Sequence, residues 1–297
     1  MLPFIRLFLV TFFLRLLAIL PLPLNHVLGG LIGHLYYFLP NRLRDVTHSN
    51  IKRCYPDKSA PQQQALIRAS LKEVGKTLSE NGPLWYWPEA RILKLVTDVQ
   101  GKEHLLAGLQ RGKGIIIAAP HLGSWEILGH YLNTLAPITN LYRPPRLPEF
   151  DSLIKRVRTR FGAKLAPTTP QGIKALFQLL RNNECVGILP DQDPGRGGAG
   201  IFAPFFGTPA NTMSLLPRLA QKTGAQVIFG FAERLPRGRG YRLHFIPAHP
   251  DVGSRDLAVA TNALNQGVEH CVRLIPEQYQ WGYKRFRTRP EGEKKIY

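Results

Sequence analysis

Cysteine is scarce in this chain, and acid is scarcer than base. Of 297 residues three are cysteine, Cys54, Cys185 and Cys271. They lie far apart, are odd in number and form no CxxC pair. Neither a disulfide framework nor a cysteine-based structural metal is indicated, and a reducing compartment fits best. Asp and Glu number 20 against 39 Lys and Arg, a formal charge of +19. Such a chain is drawn to polyanions: nucleic acid, anionic headgroups, acidic proteins or phosphate-bearing substrates. No helix-turn-helix, zinc-finger or RNP pattern accompanies the charge, so a membrane-tethered nucleic-acid-binding protein has charge alone in its favour. Internal repeats and low-complexity segments are also missing, and the length suits one sizeable domain, or a domain with a helical extension.

What is present begins with an apolar N-terminus. The run from Phe4 to Leu20 is broken by Pro21 and Pro23, and Val27 to Leu39 is apolar again. Its 17 residues carry Arg6 and Arg15, whereas a spanning helix needs about 20 predominantly apolar residues. An arginine at the bilayer centre costs roughly 2.5 to 3.5 kcal/mol, less if it snorkels to an end. A short span and a helix lying in the interface are therefore evenly matched. A cleaved signal peptide is disfavoured, since no small-x-small site precedes Pro21. Arg42, Arg44, Lys52 and Arg53 follow directly, so the positive-inside tendency keeps the globular part cytoplasmic. This divides the chain into an anchor or helical hairpin over 1–40 and a globular domain over 41–297.

Beyond the anchor, residues 61–81 have helical periodicity and meet a stop signal at Gly82-Pro83. Strands are expected at 114–119, 139–142, 185–189, 226–231 and 241–247. Helices are expected at 125–135, 150–161, 171–181, 213–222 and 255–275. That alternation predicts an α/β domain with a mainly parallel central sheet flanked by helices.

The most informative stretch is His121-Leu-Gly-Ser-Trp-Glu126. It follows the buried-strand run Gly114 to Pro120, so His121 stands at a strand's C-terminal end while Ser124 caps the next helix. Across the turn, the Glu126 carboxylate can curl back to accept the Nδ1 proton of His121 and free Nε2 to take a proton from a hydroxyl. The helix N-terminus at Ser124 and Trp125 offers amides and positive potential to an oxyanion. No metal site is indicated, because H-x4-E is neither H-E-x-x-H nor a cysteine set. Arg143 and Arg146 follow the second strand and suit a phosphate; the alternative is a solvated loop. Asp191-Gln192-Asp193 follows the third, with Arg196 beyond; it suits a cation or ordered polar loops, or a structural Asx-turn. Residues 201–207 are apolar and rich in Pro and Gly, and either pack as core or line an apolar groove.

Five separated segments then share one likeness. His121 to Glu126, Tyr142-Arg143, Asp191 to Gly195, Phe202-Ala-Pro-Phe-Phe-Gly-Thr-Pro209 and Trp281-Gly-Tyr-Lys-Arg-Phe-Arg-Thr-Arg-Pro290 resemble the bacterial lipid A biosynthesis acyltransferases, the late lauroyl and myristoyl transferases. The resemblance covers nearly the whole chain. It implies a glycerolipid acyltransferase-like fold with a membrane-anchoring N-terminal helix at the cytoplasmic face of the inner membrane. It implies transfer of a fatty acyl group from acyl carrier protein to a hydroxyl on a 3-hydroxyacyl chain of a phosphorylated, Kdo-bearing lipid A precursor, among anionic lipids, without metal or redox cofactor. His121 is then the general base, Glu126 its orienting carboxylate, and Arg143, Asp191, Gln192 and Asp193 lie on site segments. Ser124 departs from the Asn that relatives often carry, and both residues cap helices well. A glycerophospholipid acyltransferase acting on lysophosphatidate is the alternative, and the segment from Trp281 to Pro290 argues against it.

Overall fold

The computed structural model describes residues 2–145, 147–195 and 197–297. Arg146 and Arg196 lie outside the described residues.

The apolar N-terminus forms two helices, α1 (Leu2–Ile19) and α2 (Leu22–Phe38), separated at Pro21. Next come α3 (Arg42–Cys54) and the long α4 (Ala60–Tyr86). Backbone meets backbone where α2 crosses α4: a Cβ at Gly75 would stand 1.9 Å from the carbonyl oxygen of Gly29. Only glycine permits that approach, so the hairpin is packed onto the body rather than tethered to it. Among the described residues no helix is long and apolar enough to cross a membrane. α4 does not stop at Gly82-Pro83 as expected. Gly82 is pressed against Leu14 and Leu17 of α1, and the helix ends four residues later, where the Trp87 amide donates to the Pro83 carbonyl. Tertiary packing thus overrides the lost proline hydrogen bond.

The chain continues through α5 (Glu89–Leu93), β1 (Val96–Gln100), α6 (Lys102–Gln110), β2 (Ile115–Ala118), α7 (Trp125–Asn133), β3 (Ile138–Tyr142) and α8 (Asp151–Thr159). It closes with β4 (Lys164–Pro167), α9 (Pro170–Arg181), β5 (Cys185–Ile188), β6 (Gly200–Phe205), β7 (Thr208–Met213), α10 (Leu215–Thr223), β8 (Gln226–Arg234), β9 (Tyr241–Pro247) and α11 (Leu257–Leu274). Seven strands form one sheet in the order β1-β9-β8-β2-β5-β3-β4. Every neighbouring pair is parallel except β8 with β9. The mainly parallel sheet expected from the sequence is therefore present, flanked by helices on both faces.

Strand β2 is buried throughout, with Ile116 and Ala118 facing one apolar layer and Ile115 and Ile117 the other. The first layer is closed by α9, α10 and α11, the second by α7 and the end of α4. Burial on both faces explains why this strand reads as a continuous apolar run. The apolar stretch at 201–207 belongs to a two-stranded antiparallel hairpin formed by β6 and β7. It turns at Phe206 and Gly207, both left-handed (φ 48° and 74°), and it packs Phe205 and Phe206 against Tyr279 and Trp281.

Candidate active site

In the parallel register of β2 and β5, Ala118 lies opposite Ile188. Three residues further along each strand, His121 meets Asp191. The His121 amide donates to Asp191 Oδ2 at 2.9 Å and the Nδ1 proton to Oδ1 at 2.8 Å. Asp191 is thus the carboxylate that holds the imidazole. The expected His121–Glu126 pair does not form: Glu126 Oε1 accepts from Arg158 of α8, 2.6 Å from Nη2 and 3.2 Å from Nε. The reason is helical geometry. Consecutive residues on the first turn of α7 point in directions about 100° apart, so Trp125 stands beside His121, ring centroids 5.3 Å apart, while Glu126 faces α8.

Burial pushes the Asp191 carboxyl up, yet the electrostatic attraction of the His121 ring and the hydrogen bonds from His121 outweigh it and hold the group below the usual range. An ionised Asp191 accepts only, so Nδ1 carries the proton and Nε2 the lone pair of the neutral ring. That lone pair accepts from the Gln192 side-chain amide at 3.1 Å. Glu126 follows the same logic: burial raises it, and the charge and hydrogen bonds of Arg158 bring it below the usual range.

The corner between β2 and α7 is laced in place. Gly123 is left-handed (φ 61°) and a Cβ there would lie 1.9 Å from the Ala232 carbonyl oxygen, so only glycine fits. Its amide donates to the Gln278 carbonyl at 3.0 Å and the Ser124 amide to the Ala232 carbonyl at 2.8 Å. The Ser124 amide is therefore already committed, and its hydroxyl makes no cap bond, which corrects the role expected for Ser124. The amides of Trp125 and the two residues after it, the first of the helix, have no intrahelical acceptor.

Beneath the corner lies a buried ionic cluster that the sequence did not suggest. Arg234, 3% exposed, donates to the Gly123 carbonyl at 2.8 Å. Its Nε and Nη2 each stand 2.7 Å from a Glu80 oxygen. Tyr241 donates to the same carboxylate at 2.9 Å, and His26 of α2 approaches it to 3.3 Å. A buried pair of this kind is poor evidence for added stability but good evidence for a fixed geometry.

The remaining expected residues part company. Asp193 turns away from His121 and accepts from Asn211, from the Gly195 amide and from the Thr288 amide at 2.7 to 2.9 Å, tying the C-terminal segment to β7. Arg143 is exposed on the loop after β3 and has no ion pair among the described residues. Between α7 and the sheet lies a cavity of about 70 Å³ lined by Ile117, Leu128, Leu132, Ile138 and Phe161, with Trp125, Glu126 and Arg158 at its polar end.

A histidine oriented by a buried carboxylate at the start of a helix, with Trp125 between it and an apolar cavity, is the arrangement of a general-base enzyme. Residues 2–288 match the family model described as bacterial lipid A biosynthesis acyltransferase. The chain is 30% identical to the lipid A biosynthesis lauroyltransferase of Escherichia coli strain K12 over 280 residues, covering 94% of this chain and 90% of that protein. It is 30% identical to the palmitoleoyltransferase of the same strain over 284 residues (94% and 90%), and 27% identical to its myristoyltransferase over 251 residues (84% and 76%). The chain belongs to the bacterial lipid A biosynthesis acyltransferase family and is an acyltransferase.

Proposed function

We propose that this chain moves a fatty acyl group from acyl carrier protein to a hydroxyl on a 3-hydroxyacyl chain of a phosphorylated, Kdo-bearing lipid A precursor, at the cytoplasmic face of the inner membrane. The observation that carries the reading is the His121–Asp191 pair, whose imidazole stands beside Trp125 of the apolar cavity's lining, in a chain matched along its length to lipid A acyltransferases.

In this mechanism the acceptor hydroxyl displaces the Gln192 amide from His121 Nε2 and gives its proton to that nitrogen as its oxygen attacks the thioester carbonyl. Asp191 keeps Nδ1 protonated and stabilises the imidazolium that forms. The carbonyl oxygen gains charge next to the free amides that open α7. Collapse of the tetrahedral intermediate breaks the carbon–sulfur bond, and the departing thiolate takes the proton back from Nε2. The apolar cavity suits the acyl chain, Glu126 holds Arg158 at its polar end, and Arg143 suits an acceptor phosphate or carboxylate. Excess positive charge favours an acidic carrier protein and anionic lipids.

The test is transfer in vitro from acyl carrier protein loaded with fatty acids of graded length to the purified precursor, read by mass spectrometry. One added acyl ester supports the reading, and thioester hydrolysis without transfer refutes it. Lipid A from a strain lacking the protein should miss one secondary acyl chain.

A further inference from the structure

Helix α1 is fastened along its length. Near one end Arg6 stands 3.8 Å from Glu149, in the turn that follows β3. Towards the other end Leu14 and Leu17 are buried on α4, the Arg15 guanidinium lies 5.7 Å over the Tyr86 ring, and the Trp87 indole donates to the Ala18 carbonyl at 2.6 Å. Helix α2 is locked to the same helix through Gly29, Gly33 and Gly75. Both helices nevertheless leave their outer faces bare. Among the described residues nine large apolar side chains of α1 and five of α2 are exposed, Phe4 by 78%, Phe8 by 68%, Ile19 by 74% and Leu31 by 59%. Isolated exposed apolar residues are ordinary; a contiguous face of this extent marks a binding surface. The chemistry of its partner is set by charge. The chain carries Arg6, Arg15, Arg42 and Arg44 before its first acidic residue, Asp45, so α1, α2 and the start of α3 themselves contribute cations and no carboxylate to whatever they meet.

We infer that α1 and α2 form a platform that lies flat in an anionic lipid surface, both helices in the interface and neither spanning it, with the rim of the catalytic cleft at headgroup level. A spanning α1 would have to give up Leu14, Leu17, the Trp87 bond and the Arg6–Glu149 pair together. Lying flat, it keeps all of them and buries its bare face among acyl chains, with the arginines at the phosphates. The turn at 148–150 that α1 touches follows β3, so the end of the platform adjoins the loops on the side of the sheet where His121 stands. A lipid acceptor then enters sideways from the bilayer. This rests on the membrane-lipid substrate proposed above.

The full chain, carrying one of Phe4→Cys, Phe8→Cys, Phe12→Cys, Ile19→Cys or Leu31→Cys with a nitroxide attached, is bound to vesicles of phosphatidylethanolamine and phosphatidylglycerol. Immersion depth is read by power saturation; the native cysteines are buried. A flat platform keeps all labels within about 10 Å of the phosphate level. A spanning helix separates labels at 4 and 19 by about 22 Å, with depth changing steadily between them. Phosphatidylcholine alone should weaken partitioning about tenfold or more. A steady depth gradient overturns the inference. So do labels that stay in water, or that report a second copy of the chain on this face. The measurement needs no turnover: a chain that docks flat but transfers nothing refutes the catalytic reading alone, and an active chain with labels in water refutes the platform alone.

Discussion

Replacing Asp191 by asparagine tests the central geometry most directly. Asparagine matches aspartate in size and can still accept from the His121 amide, so the fold should persist. What changes is the imidazole. A carboxylate at 2.8 Å from Nδ1 can only accept, whereas an amide can also donate to that nitrogen, which drives the proton to Nε2 and removes the base. In the serine protease triad the equivalent change costs about 10⁴ in kcat. The same logic predicts a loss of roughly 10³ to 10⁴ in kcat/KM here, about 4 to 5.5 kcal/mol at 1.36 kcal/mol per tenfold. Glu126→Gln is the companion measurement. It removes a charge from Arg158 and leaves the His121–Asp191 pair untouched, so its cost comes from a displaced guanidinium, about 10² or less. Its loss should be non-additive with Arg158→Gln, because the two side chains act as one unit. Rates are read from labelled acyl transfer, and the tautomer from ¹⁵N chemical shifts of the His121 ring in each variant. If Asp191→Asn transfers within tenfold of wild type with Nδ1 still protonated, and Glu126→Gln moves the ring proton, the register argument that pairs His121 with Asp191 is refuted.

Three further outcomes are expected. Burial pushes Glu80 up, but the charge and hydrogen bonds of Arg234 and the bond with His26 outweigh it and bring it to about 2. The folded state therefore binds fewer protons than the unfolded one below about pH 4.3, and stability on the order of 3 kcal/mol is present above that pH and lost as pH falls towards 2; denaturation midpoints should show this acid slope and Glu80→Gln should flatten it. Gly129 lines the cavity and a Cβ there meets nothing within 4 Å, so Gly129→Leu should fold normally and shift donor preference to shorter acyl chains, and unchanged chain selectivity would place the acyl tail elsewhere. Arg143→Glu should raise the acceptor KM about tenfold or more if the guanidinium holds an acceptor anion; with a dephosphorylated acceptor the two losses should be non-additive, and additive losses would separate Arg143 from that phosphate.

The parts of the fold legible in the sequence are those where one physical demand acts alone. Strands β2, β5 and β8 are covered on both faces, so they read as unbroken apolar runs; β1 and β4 sit at the sheet's edges with mixed exposure, and their patterns dissolve into loop. The hairpin β6–β7 was hidden by Pro204 and Pro209, which stand opposite each other in a two-stranded ribbon, a place where missing amides are tolerated. The expected Gly82-Pro83 stop failed because local punctuation yields to packing against α1.

The site divides along the same line. His121 at the end of a buried strand was legible, because strand and helix signals fall within ten residues of it. Its carboxylate was not. Along the chain Glu126 is five residues away and Asp191 seventy, so a reading confined to spacing favours the nearer group. In a parallel sheet, however, the nearest neighbours of a strand's end are the ends of the adjacent strands, whatever their distance in sequence, and a helix that starts at the corner carries its own first acidic residue round to another face. The same geometry accounts for Arg158 and Arg234: single arginines among 39 cations carry no sequence signal, and their partners Glu126 and Glu80 lie 32 and 154 residues away. In an open parallel sheet, then, an H-x4-E corner fixes where the base stands, and the residue that orients the base is to be sought first just beyond the C-terminal end of the neighbouring strand.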